Sequence, residues 1–319
     1  KLFFTKEKTK EHIYGIYIFI NGLWQLVLID DYLPCGGTSF KKFVFGYSNG
    51  NELWVSLLEK AWAKINGCYA KVGCGGLANE VFDVLTECSS SLISINQNNK
   101  EKIWEEISKA EKEGYVMTVG TSGDVVNLDI EENGLTPGHA YTVLKVLEIP
   151  TNYGIERVLR LRNPWGNGEY NGPWSDNGNK WTKELKQKYM IYEKNDGDFH
   201  IGYDDFLKYY VTMGIARLHD DFITKAIIVK KEEATKCQII KLTNNYDNIL
   251  CYLSLYQKNP RIILKDGTYQ PNVLSFIMLV DKNFNYIDSM STNSTHIFIE
   301  TKLATGEYYL FCNVNYRYV

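Results

Sequence analysis

The stretch from Gly138 to Asp176 constrains this chain more than any other. Two apolar, strand-like runs, Ala140 to Leu147 and Val158 to Arg162, flank a turn marked by Pro150, Asn152 and Gly154. Apolar runs of this length, bounded by Pro, Asn and Gly, read as antiparallel strands joined by a short connection. Such a hairpin brings the residue that opens the first strand, His139, beside the residue that closes the second, Asn163. Taken singly, a His at a strand start reads as a surface or structural residue, and an Asn before Pro as a turn signal. Together, with Trp165 directly after Asn163-Pro164, they match what thiol-based nucleophilic catalysis needs. An imidazole draws the proton from a thiol, an amide oxygen holds the ring in one tautomer, and an indole shields their hydrogen bond from water.

A chain of 319 residues accommodates two or three domains, and its 45% hydrophobic content supplies their cores. A net charge of −3 gives no support to a nucleic-acid or anionic-membrane partner. No apolar run approaches the ~20 residues of a transmembrane helix. The seven cysteines are odd in number and scattered, and no secretory leader is expected. The expectation is a reducing, intracellular (cytoplasmic) setting with free thiols. Cys68 and Cys74 lack the second pair of ligands that a structural zinc site requires.

Asn21-Gly22, between the apolar runs Tyr14–Ile20 and Leu23–Ile29, predicts a hairpin. A helix is predicted from about Asn51, its cap, to Ile65, with Gly67 as its stop and Trp54, Leu57, Leu58, Ala61 and Ile65 facing the core. Further helices are predicted over Asn79–Leu85 and over Lys100–Glu113, the latter burying Ile103, Trp104, Ile107 and Ala110. The strand Tyr115–Val119 is expected to pair with the one beginning at His139, in an antiparallel sheet covered by helices. The connection Gly120–Pro137 is long, polar and acidic. From Asp221 onward the pattern is all-β. Runs at Lys225–Lys230, Cys237–Leu242, Ile249–Tyr256, Ser275–Val280, His296–Ile299 and Tyr308–Val314 suggest an antiparallel sandwich.

After Trp165 the composition shifts to Gly, Asn and acids. Glu169 and Asp176 lie in one loop, Asp196 and Asp198 in another. A hard cation such as Ca²⁺ takes roughly six to eight oxygens from carboxylates and carbonyls on flexible loops. The plain alternative is a pair of solvated loops.

Gly138-His139-Ala140-Tyr141-Thr142-Val143, Arg160 to Gly166, Gly172-Pro173-Trp174-Ser175-Asp176, Asp196-Gly197-Asp198-Phe199 and the run Asn51-Glu52-Leu53-Trp54 to Lys64 together resemble the calpain protease core, in the family's order. The resemblance implies an α+β fold: a papain-like core with a partial first lobe (1–75) and a complete second lobe (76–220) built on an antiparallel sheet. An all-β, C2-like sandwich (221–319) would follow, since 252–258 and 303–310 are similar to that domain. The sandwich is expected to continue beyond Val319. The resemblance also implies a Ca²⁺-dependent intracellular cysteine endopeptidase acting on polypeptides. His139 would be the base, Asn163 its orienter and Trp165 its shield, and the loop 120–137 would border the substrate cleft; its length fits a gate or, as the plain alternative, a disordered connection. Calcium ligands would fall on Glu169, Asp176, Asp196 and Asp198 with the carbonyl of Lys194, and a second, first-lobe site would use Glu80. The chain departs from the family at His200-Ile201, where Trp-Met is usual. It departs again at Lys1–Ile13, which hold no counterpart of the nucleophile segment Gln-Gly-x-x-Gly-Asp-Cys-Trp. Cys35, in a Gly36-Gly37 loop, lies in the wrong segment to replace it. The nucleophile is therefore expected upstream of Lys1. The alternative is an inactive structural or interaction module, for example one with a scaffold partner in a cytoskeletal assembly.

Overall fold

Asn21 and Gly22 both take positive φ, 52° and 82°, and close β1 (Ile13–Ile20) onto β2 (Leu23–Asp30) as an antiparallel pair. Both residues tolerate this region, and such turns match the strand twist. The chain is seen here in a computed structural model that describes residues 2–38, 42–48, 50–123, 131–228, 237–257, 259 and 273–314. A minimal pair, β3 (Cys35–Gly36) with β4 (Lys42–Phe43), precedes helix α1 (Trp54–Ile65) and the short α2 (Tyr69–Gly73). The expected cap does not form. Leu53, not Asn51, occupies the cap position, and it makes no side-chain cap bond. Leu57 and Ala61 are buried as expected, whereas Trp54, at the very first helical position, is 53% exposed. Gly67, with φ of 98°, follows the helix end.

Helix α3 (Ala78–Thr86), β5 (Ser89–Ser94), α4 (Lys100–Lys112) and β6 (Val116–Thr121) come next. Then follow β7 (Ala140–Thr151), β8 (Gly154–Arg162), α5 (Lys183–Tyr189), β9 (Asp198–Gly202), α6 (Tyr203–Tyr209) and β10 (Tyr210–Arg217). Their strands form one antiparallel sheet in the order β5-β10-β6-β7-β8-β9. Helix α4 lays Ile103, Trp104, Ile107 and Ala110 onto that sheet, against Met117, Tyr141, Leu159 and Phe199. Trp174, Trp181, Ile149, Val158 and Ile191 form a second cluster.

The β7–β8 hairpin is longer than the sequence suggests. Pro150 is not in the turn but inside β7, opposite Ile155, and the chain reverses at Asn152-Tyr153. Proline lacks an N–H, so strands tolerate it at unflanked positions. On its other side β7 pairs with β6 only over Ala140–Val143, well short of Pro150. Within the connection expected over 120–137, residues 124–130 lie outside the described residues.

The C-terminal part is β11 (Gln238–Asn244), β12 (Ile249–Tyr256), β13 (Ser275–Asp281), β14 (Tyr286–Thr292), β15 (His296–Leu303) and β16 (Gly306–Val314). A four-stranded sheet, β11-β16-β13-β14, and a two-stranded sheet, β12-β15, share a core that includes Ile277, Leu279, Leu310, Ile297 and Ile299. Two of the strand expectations need correction. Lys225–Ile228 is exposed and not a strand, with 229–230 outside the described residues, and β14 was not foreseen. The first run has apolar residues but no sheet partner among the described residues. The second alternates with Asp, Ser and Thr, which mask its pattern.

By contacts the chain divides into Leu77–Asp221 and a second unit made of Lys1–Gly76 with Phe222–Val319. In that second unit Phe19 meets the Tyr256 ring edge-on at 5.6 Å, and the Asn259 N–H donates to Asn21 Oδ1 at 3.2 Å. Among the described residues no helix is long and apolar enough to cross a membrane.

Candidate active site

His139 stands one residue before β7, and its backbone is held on both sides. Its N–H donates to Thr121 Oγ1 at 3.0 Å, and its carbonyl accepts from the Thr121 N–H at 3.0 Å. Gly138, at φ of 60°, donates to the Ser122 carbonyl at 2.8 Å. Across the hairpin Thr142 pairs with Arg162, which leaves Asn163 just past the end of β8, facing His139.

The imidazole Nε2 lies 2.9 Å from Asn163 Oδ1. The same oxygen accepts from the Trp165 N–H at 3.1 Å, while Nδ2 donates to the Gly168 carbonyl at 3.0 Å. These two bonds settle which end of the amide faces the ring. Nε2 must then carry the proton as donor, and the lone pair of the neutral ring is on Nδ1. Asn163 is fully buried, and its backbone N–H donates to the Gly197 carbonyl at 2.7 Å. Trp165 lies against the imidazole, centroid to centroid at 4.3 Å, and Tyr141 meets it edge-on at 5.0 Å. Trp165 is itself 61% exposed, so it covers one face of the imidazole, whereas Asn163 is enclosed by its own loop and that of Gly197.

The acidic residues divide among protein partners. Glu169 Oε1 accepts from the Asp196 and Gly197 N–H groups, each at 2.8 Å. Burial raises the Glu169 carboxyl above its ordinary range, against those two donors. Asp196 Oδ1 accepts from the Asp198 N–H at 3.1 Å. Both oxygens of Asp198 are taken by Arg160, from Nε at 2.9 Å and Nη2 at 2.6 Å. Asp176 Oδ1 lies 3.2 Å from His200 Nδ1, both residues buried. Lys194 places its ammonium over the Tyr192 ring at 5.6 Å. Glu80 is on the first turn of α3, which packs on β5 and β10 at the opposite edge of the sheet. Among the described residues no three His, Cys, Asp or Glu side chains converge as metal ligands. The donors are oxygens of the kind Ca²⁺ prefers. With Asp198 and Asp176 turned onto Arg160 and His200, however, this arrangement does not fit the ion.

All seven cysteines are free. Burial pushes the Cys88 and Cys312 thiols each up to about 11 and raises Cys251, the opposite of what activates a nucleophile. Thr121 and Gly168 were not singled out from the sequence, and Gly197 only as part of the run Asp196–Phe199. Thr121 carries no local signal, because a long connection separates it from His139. Gly197, between two acids, could have been read as a left-handed turn position.

An imidazole oriented by a buried amide, with an indole on its face, is the arrangement that cysteine peptidases use. The sequence profile described as calpain family cysteine protease matches residues 1–217, and the chain belongs to that family. It is 32% identical over 224 residues to the maize (Zea mays) calpain-type cysteine protease DEK1, covering 67% of this chain and 10% of that one. With rat (Rattus norvegicus) calpain-8 it shares 31% over 299 residues, 87% of this chain and 41% of the relative. With the human (Homo sapiens) calpain-2 catalytic subunit it shares 30% over 272 residues, 80% of this chain and 37% of the relative. The chain thus spans less than half the length of each of these relatives.

Proposed function

We propose that His139 and Asn163 serve peptide-bond hydrolysis by a thiol mechanism in the full-length protein. The observation that carries this reading is the 2.9 Å bond between His139 Nε2 and an amide whose orientation is fixed by Trp165 and Gly168. Nδ1 takes the proton of a cysteine thiol presented to it, and the thiolate attacks the carbonyl carbon of a polypeptide. The imidazolium then returns the proton to the leaving amine. Water activated by the same nitrogen hydrolyses the thioester. Asn163 keeps Nε2–H directed away from the reaction, and Trp165 limits solvent on one ring face.

In this reading Leu77–Asp221 is the second lobe of a papain-like core, Lys1–Gly76 the remainder of the first, and β11–β16 a C2-like sandwich. The free thiols support a reducing, cytoplasmic setting. Calcium, which the resemblance implies at Glu169, Asp176, Lys194, Asp196, Asp198 and Glu80, takes no part in these steps.

The test is labelling of the full-length protein from its native source with a thiol-directed epoxide, with and without Ca²⁺. Labelling at one cysteine that His139→Ala abolishes is the expected result. A full-length protein that never labels would leave the His–Asn pair without a nucleophile and turn the reading to a structural module.

A further inference from the structure

We propose that Arg160 is a positioning residue whose guanidinium ties together the loops that fix Asn163, standing where a divalent cation would otherwise bridge their carboxylates. This rests on the proposed role of Asn163 only for its catalytic consequence.

On β8, Arg162 is paired with Asp198 and Arg160 with His200, so Arg160 reaches diagonally to Asp198 across one strand spacing. The contact is bidentate, 2.9 and 2.6 Å, and uses both carboxylate oxygens. A planar guanidinium matches a carboxylate in this way, and an ammonium does not. Asp176 and Asp196 also act on Arg160 through their charge. The guanidinium is thus the direct partner of Asp198, while Asp176 is paired with His200 and Glu169 is satisfied by backbone N–H groups.

The tie leads directly to Asn163. Asp198 opens β9, and the turn before it carries the Gly197 carbonyl that accepts the Asn163 N–H. Asn195 Oδ1 in the same turn accepts from the Gly168 N–H at 3.1 Å, and the Gly168 carbonyl accepts from Asn163 Nδ2 at 3.0 Å. Both bonds that Asn163 donates thus end on residues of this turn or bound to it. A calcium ion entering between the loops would need Asp198, would have to displace the guanidinium, and would leave it beside a like charge. Arg160 both orders the loops and opposes the ion.

The experiment uses the 319-residue chain, isotopically labelled, with calorimetric Ca²⁺ titration and NMR exchange rates of the Asn163 side-chain amide. Wild type is expected to give no binding heat up to about 1 mM Ca²⁺ and to protect the amide. Arg160→Gln is expected to speed amide exchange by about tenfold or more, and added Ca²⁺ to bind and restore protection. Asp198→Asn, nearly isosteric, should lose the same protection without rescue, and serves if Arg160→Gln fails to fold. Wild-type Ca²⁺ binding that Asp198→Asn abolishes, or unchanged exchange in Arg160→Gln, overturns the proposal. In Arg160→Gln, loss of protection that Ca²⁺ does not restore overturns the claim that the guanidinium stands in a cation's place. None of these readouts needs a nucleophile, so the labelling experiment fails or succeeds independently.

Discussion

Asn163 carries more of the candidate site than its single contact with His139 suggests. Its Oδ1 accepts from His139 Nε2 and from the Trp165 N–H, and its Nδ2 donates to the Gly168 carbonyl, all while fully buried. Asn163→Ala strands these groups without water. A stability loss of about 1–3 kcal/mol is expected in denaturant titration of the chain. In the full-length protein kcat should fall about 100-fold or more with KM little changed, because the imidazole loses its tautomer and orientation and not its substrate contacts. Equal losses in kcat and 1/KM would contradict an orienting role. Cys88 offers a different residue-scale test. Burial raises its thiol from 9.0 to about 11, so the folded protein holds that proton more tightly than the unfolded chain does. Its stabilising contribution is complete below pH 9 and fades as pH rises through about 11. Cys88→Ser should flatten this alkaline decline in a series of urea midpoints. An unchanged decline would assign it to other groups.

At the scale of elements, the turn 195–198 and the segment 163–168 approach too closely for any side chain between them. A Cβ on Gly197 would lie 2.8 Å from the Asn163 carbonyl oxygen and 3.0 Å from Gly166 Cα, and φ there is 85°. Gly197→Ala is therefore expected to separate the two, lengthening the bond from the Asn163 N–H. A lowered melting temperature together with faster exchange of the Asn163 backbone amide checks this, and retained protection would argue against it. This contact also marks the limit of what the sequence could tell. His139 and Asn163 were legible because they bound two strands of one hairpin, a local pattern. The Asn21-Gly22 turn and the buried face of α4 were legible for the same reason. The pairing of β8 with β9, which brings Arg160 to Asp198, joins strands separated by a long irregular segment that no periodicity reveals. Four acids on two loops read as a cation shell in the sequence, and the protein partners of two of them, Arg160 for Asp198 and His200 for Asp176, become visible only in the folded chain.

At the scale of the whole molecule, one unit is assembled from both ends of the chain and the other from the segment between them. Residue patterns of the first 76 residues gave no sign that Phe19 and the Asn21-Gly22 turn would meet Tyr256 and Asn259, because that contact depends on the distant β12. The separate cores imply separate responses to substitution. Ile107, fully buried between α4 and the six-stranded sheet, should cost about 2–5 kcal/mol when replaced by Ala, and only in the unit Leu77–Asp221. Phe19→Ala should cost about 3–5 kcal/mol in the other unit. Combined with Tyr256→Ala, its effect should fall short of additivity by about 0.5–1.5 kcal/mol, the worth of an edge-to-face ring pair. Scanning calorimetry of the three variants checks this: Ile107→Ala should lower one transition, and Phe19→Ala and Tyr256→Ala the other. A single transition lowered alike by all three would mean that the two cores unfold as one, and strict additivity of the ring variants would mean that the hairpin and β12 do not stabilise each other.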